Sequence, residues 1–585
     1  MNPADREKQM KQAEEILGDK SKEIGFAKRL FFGEFQCDAL LPYPIHEHDS
    51  RVEPLLAELK TFCGTQIDPV AIDRRAEIPQ SVIDGLGKLG VLGACLPENV
   101  GGMALKQSSY CRVLEILGGH CGSTALFVNA HHSIGPRALV LFGNDSQRAR
   151  YLPKLATGEW ISAFALTEPE AGSDAANVQS AATPTADGKG YVINGEKRWI
   201  TNGGIASVLT VMARTPDPKA GDSKITAFVV TPDMPGFSVV EKRMEKMGVR
   251  GTATSRLAFR DLYVPRENVL GQLGKGLRVA LTVLDYGRTT FGASCTGAAK
   301  FCVAGALAHV KQRVQFGEPL ANFELVKQKL AFMQAATFAM EACTYQTAAL
   351  MDSGHGDFML ETAMLKVFST ELLWTLLNDT FQLHGGLAYF TDQPWERMVR
   401  DARINTIGEG ANDVLHGFSA LVGMRDVGLE LESILNAIYH PLGQVTRLAR
   451  FGGRKLGALF VAPSVPVRSS ELEGEASALG SQIAALSRSV ERLLIAHQKE
   501  IVERQYQLAR IADAATDIYA SSCVLNRLDY LIREHHGDEA HLRMQLETGR
   551  YWLALSRRRV NGWLASLWDN DDTATTSLAV RMLWP

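Results

Sequence analysis

The stretch Phe164-Ala165-Leu166-Thr167-Glu168-Pro169-Glu170-Ala171-Gly172-Ser173-Asp174 marks the point where this chain changes texture. An apolar strand end runs into a turn, where Thr167, Gly172 and Ser173 can make close polar contacts to a flat or phosphorylated ligand. Alone, such a segment is more often an ordinary turn; its neighbourhood makes it decisive. Before it, over residues 48–160, the apolar spacing is helical, with Tyr110, Val113, Leu114 and Leu117 on one side of a helix predicted for 109–119. After it, the apolar runs 225–231, 238–241 and 256–259 alternate with turn signals such as Asp187-Gly188 and Pro235-Gly236, which predicts a compact β domain over 161–273. Helical spacing returns over 274–427, with long amphipathic stretches at 277–313 and 322–353. The expected fold is mainly α with a central β domain, a helix–sheet–helix core. A 1–47 extension precedes it, and a Gly- and Arg-rich segment over 428–470 follows. A C-terminal helical domain at 471–585 then carries Ile483, Leu486, Val490, Leu493, Leu494, Leu508, Ile511 and Ile518.

The bulk numbers suit several packed domains: 585 residues, 46% hydrophobic. A formal net charge of −3 with both signs mixed gives no electrostatic case for nucleic acid. The nine cysteines show no Cys-x-x-Cys pair, which fits reduced, buried thiols and no metal site. The first twenty residues mix acids and bases without an apolar core, which argues against a secretory signal, and Asp5, Glu7, Glu14, Glu15 and Asp19 argue against a mitochondrial transit peptide. No apolar run approaches the ~20 residues of a membrane span, so a soluble or peripheral protein is expected.

Four further segments carry candidate chemistry. Trp199-Ile200-Thr201-Asn202-Gly203-Gly204 sets an aromatic face and a hydroxyl two residues apart, which on a regular strand places both on one side. Arg313-Val314-Gln315-Phe316-Gly317 ends an amphipathic helix; its arginine either caps that helix or grips a pyrophosphate as a forked donor. Gln382-Leu383-His384-Gly385-Gly386 offers a glycine pair for close backbone approach. In Arg403-Ile404-Asn405-Thr406-Ile407-Gly408-Glu409-Gly410-Ala411-Asn412-Asp413, Glu409 sits between glycines ahead of a predicted helix, where a carboxylate can also be an ordinary helix-start charge.

In this order and layout the five segments resemble the acyl-CoA dehydrogenase family over roughly residues 50–425. Lys499-Glu500-Ile501-Val502 and the 510–519 segment are similar to the C-terminal extension of its very-long-chain subgroup, as are Phe31-Phe32-Gly33-Glu34 and Leu41-Pro42-Tyr43-Pro44. The resemblance implies FAD-dependent desaturation of long-chain acyl-CoA to the trans-2-enoyl thioester, as in fatty acid β-oxidation. Glu409 would be the base that removes the α proton. Its own backbone N–H, with a flavin hydroxyl, would polarise the thioester carbonyl. Phe164, Leu166, Thr167, Gly172, Ser173, Trp199 and Thr201 would line the flavin. Arg313 and Phe316 would meet the FAD of a neighbouring subunit, with Gln382 and Gly386 near its ADP part, so a homodimer is implied. Asp285 and Arg288 match the family's Asp-x-x-Arg at a core-helix start, Asp285 facing coenzyme A; Ser173 would lie near the pantetheine and Gly410 beside the substrate.

Two departures from the family pattern stand out. Ala411 replaces the usual threonine after the Glu-Gly pair. The 124–131 helix, similar to the acyl-pocket floor, carries Ala125 and Asn129 where the very-long-chain enzyme has glycines, so the expected optimum is long-chain rather than very-long-chain. Electrons would pass to an electron-transfer flavoprotein; an acyl-CoA oxidase using oxygen and an assembly or scaffold protein on the same fold are the alternatives. Between 441 and 468, Arg447, Arg450, Arg454, Lys455 and Arg468 occur with no acidic residue, among Leu448, Phe451, Leu456, Leu459, Phe460 and Val461. That mixture suits an anionic membrane surface. The expected location is the inner face of a bacterial cytoplasmic membrane, or the mitochondrial inner membrane or matrix for a mature eukaryotic chain.

Overall fold

The computed structural model describes residues 24–40, 43–44, 50–217, 222–354, 356–439, 462–534 and 537–584. The basic stretch 447–461 lies outside them. Two compact units emerge, both discontinuous in sequence: one built mainly from 46–330 and 369–411, the other from 21–45, 331–368 and 412–585.

In the first unit the helix Gln107–His120 buries Tyr110, Val113, Leu114 and Leu117 completely, as their three-to-four spacing requires. The sheet has eight strands: β1 (Ser162–Ala165), β2 (Ala181–Pro184), β3 (Gly190–Ile200), β4 (Val208–Asp217), β5 (Asp222–Val230), β6 (Phe237–Glu241), β7 (Ser255–Pro265) and β8 (Val269–Leu270). Their order is β6-β7-β3-β2-β4-β5-β8, and β1 pairs parallel to β4 with Ser162 opposite Val208. Alternation sorts the side chains. Leu209, Val211, Ala213, Phe228 and Val230 join Leu257 and Phe259 in one apolar cluster. Their neighbours Val208, Met212, Ala227 and Val229 join a second one, with Leu139, Tyr151, Leu155, Val279 and Val283 from helices. Both faces of β4 and β5 are thus buried, which is why these strands read as continuous apolar runs.

The helix Gly276–Gln312 starts and stops within a residue of its expected limits, and Glu324–Asp352 within two. Although no apolar run stood out in the sequence, Gly276–Gln312 is long and apolar enough to cross a membrane; 61% of its most apolar window is buried inside the protein, as in a core helix.

The second unit is helical. Its C-terminal part folds as Glu473–His497, Gln505–Glu534, Glu539–Ala565 and Asp572–Leu583, with a 3-10 turn at Gln498–Glu503 between the first two. Trp552 is fully buried and meets Phe368 edge-on at 5.5 Å. The N-terminal segment docks here too: Asn526 donates to the Leu40 carbonyl at 2.5 Å and to Gln346 at 2.8 Å. Seven cysteines are buried and two partly so, all as free thiols.

Candidate active site

Glu409 is not a helix-start charge. The helix begins at Asn412, and Glu409 itself adopts the left-handed conformation with φ of 56°, unusual for a residue with a side chain. Its Oε1 accepts from Asn129 Nδ2 at 2.8 Å. The carboxylate lies against Gly287, where an added Cβ would stand 2.4 Å from Oε2. Glycine at 287 is therefore a requirement of space. The main chain is held as well, with a long bond from Arg288 Nε to the Glu409 carbonyl at 3.4 Å. Arg288 also pairs with Asp285 at 3.1 Å, both side chains nearly sealed from solvent. The Asp-x-x-Arg pair thus sits nearly three turns inside its helix rather than at its start.

Asn129 opens a π-helical turn, Asn129–Ile134, that continues the helix Gly122–Val128 and buries all of its residues. Two neutral imidazoles anchor the turn. His131, pushed down to about 4 by burial, accepts from the Ser162 N–H at 3.1 Å and reaches the Leu155 carbonyl at 3.1 Å. His132, held well below its ordinary value by burial and by Arg137, takes the Cys95 N–H at 3.0 Å.

The 164–174 and 199–204 segments are tied together by Lys197 and Glu168, whose roles the sequence did not single out. Lys197, wholly buried, donates to Glu168 Oε1 at 2.7 Å and to the Leu166 carbonyl at 2.9 Å. The Arg198 N–H bonds the Thr167 carbonyl at 3.0 Å. Burial drives Lys197 down to about 8, Glu168 pulling it back towards its ordinary value. The regular-strand picture of Trp199 and Thr201 needs correcting. The pairing of β3 with β7 shifts between Lys197 and Ile200, Trp199 has φ of 59°, and Thr201 lies beyond the strand end. The bulge turns the half-exposed indole out of the alternation instead. Asn202, fully buried and also left-handed, holds this turn to the Phe127 carbonyl at 3.1 Å. Phe164, Leu166 and Thr167 are partly exposed here, and nothing lies within 4 Å of a Cβ placed on Gly172, beside the exposed Ser173. An open glycine turn, hydroxyls and a projecting aromatic suit a flat, phosphorylated cofactor such as FAD.

A second group forms where two helices end. His309 and His384 stack at 4.2 Å, four residues before Arg313 on one helix and two after Gln382 on the other. Arg313 and Gln382 are exposed, and no side chain would be met on Gly386. Phe316, at φ 53° and 94% exposed, tips the turn between Val314–Gln315 and Glu318–Pro319.

A cavity of about 590 Å³, counting its open mouth, is lined by Ala125, Leu126, Asn129, Phe291, Leu373, Leu377, Met398 and Asp401 among others. Ala125 and Asn129 both face it, and Asn129 links it to the carboxylate. Burial pushes Asp401 up to about 6 against the pull of the Val249 N–H at 2.5 Å.

The chain is similar to known proteins over almost its whole length. The acyl-CoA dehydrogenase N-terminal, middle and C-terminal domain families match residues 51–159, 163–262 and 274–420, and the ACAD9/ACADV C-terminal domain matches 470–579. The human mitochondrial very long-chain specific acyl-CoA dehydrogenase is 36% identical over 559 residues, covering 94% of this chain and 85% of that protein. A Mycobacterium tuberculosis protein named "Probable acyl-CoA dehydrogenase FadE10" is 32% identical, covering 97% and 90%. Among solved structures, acyl-CoA dehydrogenase complexed with FAD from Bacillus anthracis superposes with a TM-score of 0.79 at 27% identity, covering 92% and 91%. Butyryl-CoA dehydrogenase from Megasphaera elsdenii gives 0.60 at 34% identity over 64% of this chain and 97% of that one. The chain belongs to the acyl-CoA dehydrogenase family of flavoprotein oxidoreductases.

Proposed function

We propose that this protein uses FAD to dehydrogenate long-chain acyl-CoA at the α and β carbons, with Glu409 as the base. The observation that carries the assignment is the Glu409 carboxylate, on a strained backbone, bonded to a residue that lines the cavity and fitted against a glycine. Strain of this kind persists where surrounding structure over-determines a functional geometry. Glu409 takes the α proton of a thioester whose tail lies along Ala125, Asn129 and Phe291. Bound FAD supplies the acceptor for the β hydride. Phe164, Leu166, Thr167, Gly172, Ser173, Trp199 and Thr201 would hold the flavin, and Arg313, Phe316, Gln382 and Gly386 the cofactor of a second copy. Tyr389 and Phe390, their rings 6.4 Å apart, are strongly exposed, and so is Phe316; large aromatic side chains are seldom left in water, which supports a homodimer. Asp285, Ser173 and Gly410 are assigned to the coenzyme A and thioester end.

The test is Glu409→Gln: the amide keeps the shape, so FAD should copurify while acyl-CoA no longer bleaches the flavin. Near-normal bleaching overturns the base assignment. Electrons are assigned to an electron-transfer flavoprotein; rapid reoxidation of the reduced enzyme by air alone would make it an oxidase instead.

A further inference from the structure

Asn129 is placed where a wall of an apolar tunnel should be, yet its amide is spent on the base. The residue is 2% exposed, so both ends of the amide are removed from water and need partners. Nδ2 donates to Glu409 Oε1 at 2.8 Å. Oδ1 accepts from the Thr290 hydroxyl. Thr290 is held in turn by Ser133 Oγ at 3.1 Å and sits against the Gly287 carbonyl at 2.9 Å. The two contacts suit one facing of the amide: its nitrogen donates to the carboxylate and its oxygen takes the Thr290 hydroxyl proton, whereas the flipped amide would set oxygen against an ionised oxygen. The donor therefore favours the charged form of Glu409, the form a base needs.

The local fold serves this contact. Continuing the helix Gly122–Val128 into a π-helical turn at Asn129 changes the angular step there, and such turns recur at functional sites. His131 ties the turn to the backbone at Leu155 and Ser162, and His132 ties it to the backbone at Leu92 and Cys95, so it has little room to relax. Glu409 faces Asn129 from one direction and Gly287 from another, so the carboxylate has little freedom left.

We propose that Asn129 is a positioning residue for the base: its amide, oriented by Thr290, holds the Glu409 carboxylate ionised and aimed in the free enzyme. The inference rests on Glu409 being the base. Other charges stand nearby: Asp285 and Arg288 on the Gly276–Gln312 helix neutralise one another, His131 and His132 in the π turn are neutral, and Arg137 stands over the Tyr286 ring at 4.4 Å. On the cavity side Asp401 titrates in the working range, with Arg397 and Arg400 around it.

The experiment is anaerobic single-turnover flavin reduction by a long-chain acyl-CoA at low concentration, from pH 5 to 9, with FAD-loaded wild type, Asn129→Leu, Asn129→Gln and Thr290→Val. The second-order rate constant at low substrate reports the free enzyme's base. Removing the donor should raise the apparent pKa by about one unit in Asn129→Leu. Well below the midpoint, reduction then falls by up to about tenfold relative to each variant's own high-pH plateau. Asn129→Gln should restore part of the shift, and Thr290→Val should shift in the same direction by less. The displacement must persist when Asp401→Asn is added, which separates it from that carboxyl. If Asn129→Leu loses FAD, Thr290→Val carries the test alone. An unmoved pH midpoint in a FAD-loaded variant, or a rate lowered equally at every pH, overturns the proposal. Retained reduction by Glu409→Gln would instead overturn the base assignment itself, so the two failures are distinguishable.

Discussion

Residue 287 is a glycine inside a continuous 37-residue helix, where alanine would ordinarily be favoured by about 1 kcal/mol. Its methyl-free face is occupied by the Glu409 carboxylate. Gly287→Ala should therefore fold with an unchanged or raised melting temperature while flavin reduction by acyl-CoA drops by about a hundredfold, since a displacement near 1 Å costs that much in a positioned reaction. Unchanged reduction in the alanine variant would show that the carboxylate has room to move. Glu409 itself was legible, because the motif around it is local. Gly287 and the Asn129 contact were not. Asn129 and Glu409 are 280 residues apart, and nothing in Asp-Tyr-Gly-Arg marks which face of the helix meets the base. The departure at Ala411 was legible, but nothing in the structure explains it.

Between residue and element lies the buried Lys197–Glu168 pair, which fastens β3 to the turn after β1. Breaking one partner of such a pair leaves an uncompensated charge, at about 3–5 kcal/mol. Lys197→Met should lower denaturant stability by that order and release FAD on gel filtration; a variant that keeps its flavin would make the pair merely structural. Sequence alternation located β3 but placed Trp199 and Thr201 on a flat strand, since no glycine announces the bulge at 199. In the helical unit, Glu361 on Met359–His384 is sealed from water, its Oε1 bonded to the Ala27 N–H at 2.8 Å. Burial pushes its carboxyl up to about 7. A carboxyl raised in the folded state contributes stability that is full below the ordinary carboxylate range and is lost as pH rises through 7. Glu361→Gln should thus raise the melting temperature by several degrees at pH 8 and hardly at all at pH 5. An equal effect at both values would mean that Glu361 is not the group titrating.

At the scale of the whole chain, the helix–sheet–helix order could be read from spacing because each element is amphipathic or doubly buried in its own way. The division into two units could not, because each unit gathers segments far apart in sequence. Membrane attachment, if the basic segment confers it, would belong to this scale. Arg447, Arg450, Arg454 and Lys455 stand among Leu448, Phe451, Leu456 and Phe460 with no acidic residue between 441 and 468. Apolar side chains entering the headgroup boundary and cations at its anionic surface act together, each basic residue contributing about 1 kcal/mol near the lipid. An enzyme held at such a surface would sit where long-chain acyl-CoA partitions. Wild type should sediment with anionic vesicles and come off with salt, which screens these charges within about 10 Å. Changing the four basic residues to Glu should reduce pelleting by at least about a hundredfold, from four lost attractions of that size. Equal sedimentation of both proteins, or none by either, would leave the segment no part in membrane binding.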